Sequence, residues 1–153
     1  MWISGTSQYA IRAVVYVATN GADAPVRVGL MAEALGMPRN YLSKTLHLLA
    51  RAGVLKSERG PTGGFQLAIP IDELTLAQVA APFDDLGARH CLLGRAQCGG
   101  KNPCAAHGQW SAVADSLQQF FAGTTVHDLM KDPRAAARHV RRKPAAARRP
   151  KAR

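Results

Sequence analysis

The chain has 153 residues, of which 47% are hydrophobic and 20% charged, and its formal net charge is +10. These proportions are those of a globular protein with one domain and some appendages. No apolar run is long enough to span a membrane, and the N-terminus lacks a signal-peptide pattern, which excludes a membrane protein and predicts a cytoplasmic location. The composition leaves two classes of protein, a nucleic-acid binder and a small enzyme.

The positive charge is concentrated at the C-terminal end. Residues 134–153 contain nine Lys and Arg and no acidic residue, whereas residues 1–133 carry a net charge of only +1. This segment has a single Val and no larger apolar residue, so residues 132–153 are predicted to form a disordered basic tail. Its role stays open between solubility and non-specific attraction to DNA phosphates.

Helical periodicity begins near the N-terminus. Residues 7–19 predict a first helix, capped by Thr6 or Ser7 and ended by Gly21. The i, i+3, i+4, i+7 spacing assigns its inward face to Ile11, Val14, Val15 and Ala18.

Two further helices follow with a glycine between them. Residues 28–35 predict a short helix closed by Gly36, and a third helix runs from Pro38 to about Ala52, before Gly53. Its inward residues are Leu42, Leu46 and Leu49. A short helix, a tight turn and a second helix indicate a helix-turn-helix unit.

A β-hairpin is predicted directly after the third helix. Residues 54–58 and 65–69 read as two short strands around the tip Arg59-Gly-Pro-Thr-Gly-Gly64. A hairpin in this position is the wing of a winged helix. With a short helix over residues 75–81, stopped by Pro82, it completes a winged-helix DNA-binding domain over residues 1–82.

The C-terminal part is predicted as a loop and a long helix. Residues 83–103 form the loop, and residues 104–131 hold a long helix to Phe121 and a short final helix. The apolar stripe of the long helix consists of Ala106, Trp110, Val113, Leu117, Phe120 and Phe121. A stripe of this length exceeds what so small a domain covers, which favours a homodimer. The predicted fold class is therefore mainly α, a winged helix-turn-helix with a two-stranded wing plus a long C-terminal dimerisation helix.

The residues that would contact DNA lie on the third helix and the wing. The helix is expected to enter the major groove and Arg59 a narrow minor groove of a double-stranded operator. The candidates are Arg39, Asn40, Tyr41, Ser43, Lys44 and His47 on the helix, and Arg59, Gly60, Thr62 and Gly63 on the wing. A single basic residue would indicate only a solvated face, but the helix, turn, basic helix and glycine-rich wing together favour DNA binding.

Three cysteines and a histidine are grouped late in the chain. Cys91, Cys98, Cys104 and His107 have the spacing C-x6-C-x5-C-x2-H, and an odd number of cysteines argues against a disulfide framework. Four such ligands suit an iron–sulfur cluster or zinc, and free thiols stay possible. Zinc sites normally use paired knuckles with shorter spacing, which this sequence lacks. An enzyme with Cys104 as nucleophile and His107 as base is a further alternative.

Three segments together resemble a known family. Tyr9-Ala-Ile-Arg-Ala-Val-Val-Tyr-Val-Ala18, Arg59-Gly-Pro-Thr-Gly-Gly-Phe-Gln-Leu67, and the three cysteines before a helix with Trp110 resemble the IscR/NsrR/RirA-type winged-helix regulators over residues 1–131. The resemblance implies a dimeric bacterial transcription regulator, such as a repressor, that senses iron, iron–sulfur status, nitric oxide or redox stress and has no small-molecule substrate. It also implies a cluster on Cys91, Cys98, Cys104 and His107, with 2Fe–2S favoured and 4Fe–4S open.

Three positions depart from the family pattern. Some relatives use a carboxylate of the first helix as a cluster ligand, where this chain has Gln8. The IscR type has a Glu on the recognition helix that filters DNA sites, where this chain has Ser43. Position 2, often basic in the family, is Trp2. The resemblance therefore implies His107 as the fourth ligand and leaves the filtering of DNA sites in doubt.

Overall fold

The structure is a computed structural model that describes residues 3–88, 90–96 and 98–131. It has six helices and one two-stranded sheet in this part of the chain: α1 Gly5–Asn20, α2 Val28–Leu35, α3 Arg39–Arg51, β1 Leu55–Glu58, β2 Gly64–Leu67, α4 Leu76–Ala80, α5 His107–Gly123 and α6 Val126–Met130. The predicted fold class is confirmed. Trp2 and the predicted basic tail lie outside the described residues.

In the helix-turn-helix unit α2 has the predicted bounds, and α3 is one residue shorter than predicted at each end, with Pro38 and Ala52 as its caps. α2 ends at Gly36, whose left-handed backbone (φ 63°) suits a residue without Cβ, and Gly53 (φ 75°) plays the same part after α3. Leu42, Leu46 and Leu49 of α3 are all fully buried. Each such side chain contributes about 1.5–3 kcal/mol relative to exposure, so this stripe fixes the face that α3 turns outward.

The wing is an antiparallel hairpin, and one further residue outside it pairs with its second strand. Leu55 pairs with Leu67 and Glu58 with Gly64, and Val26 forms an isolated bridge with Phe65. Val26 and Phe65 exchange backbone hydrogen bonds of 2.9 and 3.0 Å. The strands are slightly shorter than predicted, and the bridge fastens the residues before α2 to the half of β2 nearer the wing tip.

The start of α1 differs from the prediction. The helix begins at Gly5, and its cap is Ser4, whose side chain accepts a hydrogen bond from the Ser7 backbone N–H. Thr6 and Ser7 lie within the first turn and do not cap it. Ser4 has the extended backbone that an N-cap requires, and the cap is therefore two residues or more before the predicted one.

The buried face of α1 was also predicted wrongly in part. The buried residues are Ser7, Ala10, Ala13, Val14 and Val17. Ile11, Val15 and Ala18 are only partly buried and pack at the edge of the core. α1 contacts α2, α3, α4 and α6 at once, and the small alanine side chains permit this close approach.

The C-terminal part packs back onto the winged helix. α5 begins at His107 rather than Cys104, which is buried just before the helix. Phe121 is its one fully buried apolar residue, while Val113 (48% exposed) and Phe120 (53%) face outward. α6 has a capping box between Thr125 and Asp128, and its buried Val126 joins the main core. No helix in the described residues is long and apolar enough to cross a membrane.

Candidate functional site

The outer face of α3 carries the predicted polar residues. Arg39, Asn40, Tyr41, Lys44 and His47 are exposed and Ser43 is half-buried. The buried leucine stripe on the opposite side holds this face toward solvent. The helix therefore presents side-chain donors in the arrangement expected of a recognition helix, and their contact with DNA stays a prediction.

Tyr41 is tied to α1. Its hydroxyl forms a hydrogen bond with the hydroxyl of Thr6, and its ring meets that of Tyr9 edge-on with centroids 5.6 Å apart. Its backbone carbonyl accepts a hydrogen bond of 3.1 Å from the Thr45 hydroxyl. Tyr41 thus joins the first turn of α3 to the first turns of α1, and only part of its side chain (38%) is exposed.

The wing tip is a tight turn that needs its glycines. Arg59, Gly60 and Thr62 are exposed and Gly63 is half-buried. The backbone N–H of Gly63 donates to the carbonyl of Gly60 at 3.0 Å, and Gly60 has φ 108°. A Cβ on Gly63 would lie 2.3 Å from the carbonyl oxygen of Glu58, so only glycine fits there.

An open groove of about 480 Å³ lies between α3 and the wing. Arg39 and His47 line it from α3, and Arg59 and the wing glycines line it from the other side. The His47 ring meets that of Phe65 with centroids 5.3 Å apart, which joins α3 to the wing strand. The groove also contains Arg27, a residue that the sequence analysis did not select. No local motif marks Arg27, because the Val26–Phe65 bridge brings it there across the chain.

The four predicted ligands approach one another as two pairs. The Sγ atoms of Cys91 and Cys104 are 3.9 Å apart, and the Sγ atom of Cys98 is 3.5 Å from Nδ1 of His107. All three cysteines are free thiols. Within residues 3–88, 90–96 and 98–131, no group of three or more His, Cys, Asp or Glu residues surrounds one point as a metal ion would require.

Both separations match two ligands on one metal. With tetrahedral geometry, a metal–sulfur bond of about 2.3 Å and a metal–nitrogen bond of about 2.05 Å, two thiolates lie about 3.8 Å apart and a thiolate and an imidazole about 3.6 Å apart. Each pair therefore has a separation at which it could hold one metal, and the same separations are those of sulfur hydrogen bonds. The ligand assignment itself stays a prediction.

The cysteine loop, defined here as residues 83–106, favours a thiolate at Cys91. Hydrogen bonds from the backbone N–H groups of Arg95 and Leu93 lower the pKa of the Cys91 thiol, against a smaller opposing effect of burial. The hydrogen-bond contact with the Cys104 thiol and the charge of Arg95 also lower the pKa of Cys91. A thiolate is the form that binds metal.

The loop is anchored at two points. The indole N–H of Trp110 on α5 donates to the carbonyl of His90 at 2.7 Å. At the start of the loop, a carboxylate oxygen of Asp84 accepts a hydrogen bond of 2.8 Å from the backbone N–H of Ser4, the residue that caps α1. The cysteine loop is thus connected both to α5 and to the helix that contacts Tyr41.

His107 does not face Cys104 as the enzyme alternative requires. Its Nδ1 atom is directed at Cys98, and Cys104 has Cys91 as its sulfur neighbour. Gln8, at the position where some relatives have a carboxylate ligand, is exposed on α1.

Comparison with known proteins gives the family. Residues 3–132 match the Rrf2 family model, described as an iron-dependent transcriptional regulator. A protein of Aquifex aeolicus (strain VF5) described as an HTH-type transcriptional regulator is 38% identical over 133 residues, which are 85% of this chain and 92% of the relative. The HTH-type transcriptional regulator IscR of Vibrio atlanticus (strain LGP32) is 31% identical over 86% of this chain and 76% of its own length.

A solved structure agrees on the fold. CymR (YrzC), the global cysteine regulator of B. subtilis, superposes with a TM-score of 0.72 at 22% identity and covers 84% of this chain and 95% of its own. The family and these relatives are transcriptional regulators and not enzymes, which sets the enzyme alternative aside. The chain belongs to the Rrf2 family of DNA-binding, winged-helix transcriptional regulators.

Proposed function

We propose that this regulator acts as a homodimer in the cytoplasm and that an iron–sulfur cluster, held by Cys91, Cys98, Cys104 and His107, sets its affinity for a double-stranded operator. The observation that carries the proposal is the separation of the ligands into two pairs, at 3.9 and 3.5 Å. A 2Fe–2S cluster takes two protein ligands on each iron, so this arrangement favours it over 4Fe–4S and over a single zinc ion.

The bound cluster would supply a redox-active and removable group that ties the cysteine loop to the start of α5. His107 is the first residue of α5, and Trp110 one turn later holds the carbonyl of His90. These contacts make the position of the loop depend on the position of α5. The Asp84–Ser4 hydrogen bond then passes a displacement of the loop to the cap of α1.

The recognition helix lies at the other end of this connection. Thr6 and Tyr9 of α1 both contact Tyr41 at the start of α3. A cluster-dependent change in the loop would therefore alter how α3 is held, and with it the fraction of DNA-competent protein. The sensed signal is whatever removes or oxidises the cluster, such as iron shortage, nitric oxide or redox stress.

The homodimer is supported by the outward face of α5. Val113 and Phe120 are seven residues apart on one face of the helix, and about half of each side chain is exposed. A second copy of α5 would cover this apolar stripe. Two winged helices related by a two-fold axis would then read the two halves of a pseudo-palindromic operator.

One observation favours a second candidate, a thiol switch without a cluster. The Cys91 and Cys104 sulfurs are 3.9 Å apart, and a disulfide of about 2.05 Å needs only a small approach. In this alternative an oxidant joins the two thiols, and Cys98 and His107 have no part in the chemistry.

Anaerobic purification followed by an absorption spectrum and an iron and sulfide assay separates the two candidates. The proposal predicts visible absorption and about two irons per subunit. Cys98→Ala should lose the visible absorption, and His107→Ala should lose or shift it. The thiol switch would replace the cluster proposal if two results were found together. The wild-type protein would stay colourless after attempted reconstitution, and oxidation would remove the free thiols of Cys91 and Cys104.

A further inference from the structure

The groove between α3 and the wing is strongly basic. Arg27, Arg39 and Arg59 line it, and Glu58 is the one acid on its walls, so its lining carries a net charge of +2 with His47 neutral. Much of the remaining lining is backbone, because Gly29, Gly60, Gly63 and Gly64 also border it. Such a surface lets a large anion approach closely and offers it planar guanidinium donors.

Backbone hydrogen bonds on both sides of Arg27 fix its position at this groove. The neighbouring Val26 exchanges two backbone hydrogen bonds with Phe65 of the wing. A Cβ on Gly64 would lie 2.4 Å from the carbonyl oxygen of Val26 and 3.1 Å from the backbone nitrogen of Arg27, so the wing strand lies directly against this segment. On the other side, the carbonyl of Arg27 accepts a hydrogen bond from Met31 in the first turn of α2.

The Arg27 side chain is not needed to build the fold. It is exposed, and it makes no capping hydrogen bond at the start of α2 although Arg27 occupies the N-cap position. A long basic side chain at an N-cap is locally unfavourable compared with Ser, Thr, Asp or Asn. Its presence therefore has no local structural reason.

The geometry of a DNA duplex indicates what the groove holds. A recognition helix enters the major groove, and a basic wing tip such as Arg59 enters the neighbouring minor groove. One sugar–phosphate strand always separates these two grooves. That strand must then pass between α3 and the wing, which is where Arg27 lies.

We propose that Arg27 is a phosphate clamp that binds the DNA strand between the major groove occupied by α3 and the minor groove occupied by the wing. The proposal rests on the DNA-binding function and assigns a positioning role, not base recognition, to this residue. A phosphate contact holds the protein in register on DNA and is insensitive to base sequence. Arg27 therefore contributes equally to specific and non-specific binding.

The test measures the affinity of the full chain for two labelled duplexes by fluorescence anisotropy at 50–200 mM salt. One duplex is selected by the wild-type protein from a random pool, and the other is a scrambled sequence. Arg27→Ala should weaken binding to both duplexes by the same factor. Each lost phosphate contact should also reduce the slope of log K against log salt by about 0.9. The ratio of wild-type to Arg27→Ala affinity should therefore fall about 3.5-fold between 50 and 200 mM salt.

Two further variants complete the test. Arg51→Ala removes an exposed arginine at the far end of α3, about 18 Å along the helix from Arg39, and should leave both affinities unchanged. Arg27→Lys keeps the charge and should retain the wild-type salt slope with a smaller loss of affinity. Unchanged melting temperatures identify variants that remain folded.

Three outcomes would contradict the clamp. An Arg27→Ala protein that binds like Arg51→Ala places Arg27 outside the interface. A loss restricted to the selected duplex, with an unchanged salt slope, makes Arg27 a base-reading residue. A random pool from which the wild-type protein selects no duplex, together with no binding to the scrambled one, overturns the DNA-binding function and the clamp with it, and this result is distinct from the other two.

Discussion

Gly99 lets the cysteine loop lie close to His107, because glycine has no Cβ to meet the imidazole ring. Its backbone has φ 98°, and a Cβ built on it would lie 3.2 Å from Cε1 and 3.5 Å from Nε2 of the His107 ring. The next residue, Gly100, has a similar backbone (φ 82°) but nothing within 4 Å of an added Cβ. Gly99→Ala and Gly100→Ala therefore impose comparable backbone strain, and only the first displaces the proposed ligand.

The expected size of the effect follows from these distances. A non-glycine residue in this region costs about 1–2 kcal/mol in either variant. In Gly99→Ala the imidazole must also move by a few tenths of an ångström, which exceeds the roughly 0.2 Å tolerance of a metal–ligand bond. Disturbing the groups that orient a ligand typically costs about 10–100-fold in metal affinity, so Gly99→Ala should lose its cluster to a chelator ~10–100-fold faster than Gly100→Ala.

The assay follows the decay of visible absorption after addition of an iron chelator under anaerobic conditions. Far-UV circular dichroism of the cluster-loaded proteins before the chelator is added reports on the winged helix, which neither variant should change. Equal decay rates for Gly99→Ala and Gly100→Ala would refute the reasoning, because the contact with His107 would then have no effect on the cluster.

The other predictions concern DNA affinity and stability. Arg59→Ala should weaken binding to a selected duplex by about 1–3 kcal/mol if the wing reads bases or the minor groove, and an unchanged dissociation constant would exclude this contact. Leu46→Ala should lower the free energy of unfolding by about 2–5 kcal/mol in urea denaturation, because the side chain is fully buried in the main core. Hydrogen bonds from Lys131 and Thr125 hold the pKa of Asp128 well below its usual range, so its ionised form stabilises the folded state above the unfolded pKa. Asp128→Asn should therefore lower the melting temperature at pH 6, and the difference from wild type should shrink as the pH falls below 4; a constant difference would contradict the assignment.

Local signals predicted the winged helix well. Gly36, Pro38 and Gly53 mark the limits of α2 and α3 in the sequence, and the leucine spacing identifies the buried face of α3. α1 was harder, because its i, i+3, i+4 stripe of larger residues suggested one face while the alanines Ala10 and Ala13 form the other, buried one. The close packing of α1 against four helices favours small side chains, which hydrophobicity alone does not identify.

The sequence predicts which residues belong to the cysteine site, but not how they are arranged in space. Spacing along the chain groups the three cysteines with His107, whereas the pairing of Cys91 with Cys104 joins residues 13 apart across an irregular loop, which spacing alone does not predict. Arg27 joins the groove between α3 and the wing through a bridge between residues 26 and 65, a contact that no local pattern encodes.

The central claim is that cluster occupancy sets DNA affinity. The direct measurement is the affinity of one anaerobic preparation for a duplex selected from a random pool, before and after removal of the cluster by a chelator, with iron counted in each sample. We expect the dissociation constant to change in step with iron content, and Cys98→Ala to show one affinity under both conditions. A wild-type dissociation constant that is independent of iron content would contradict the account.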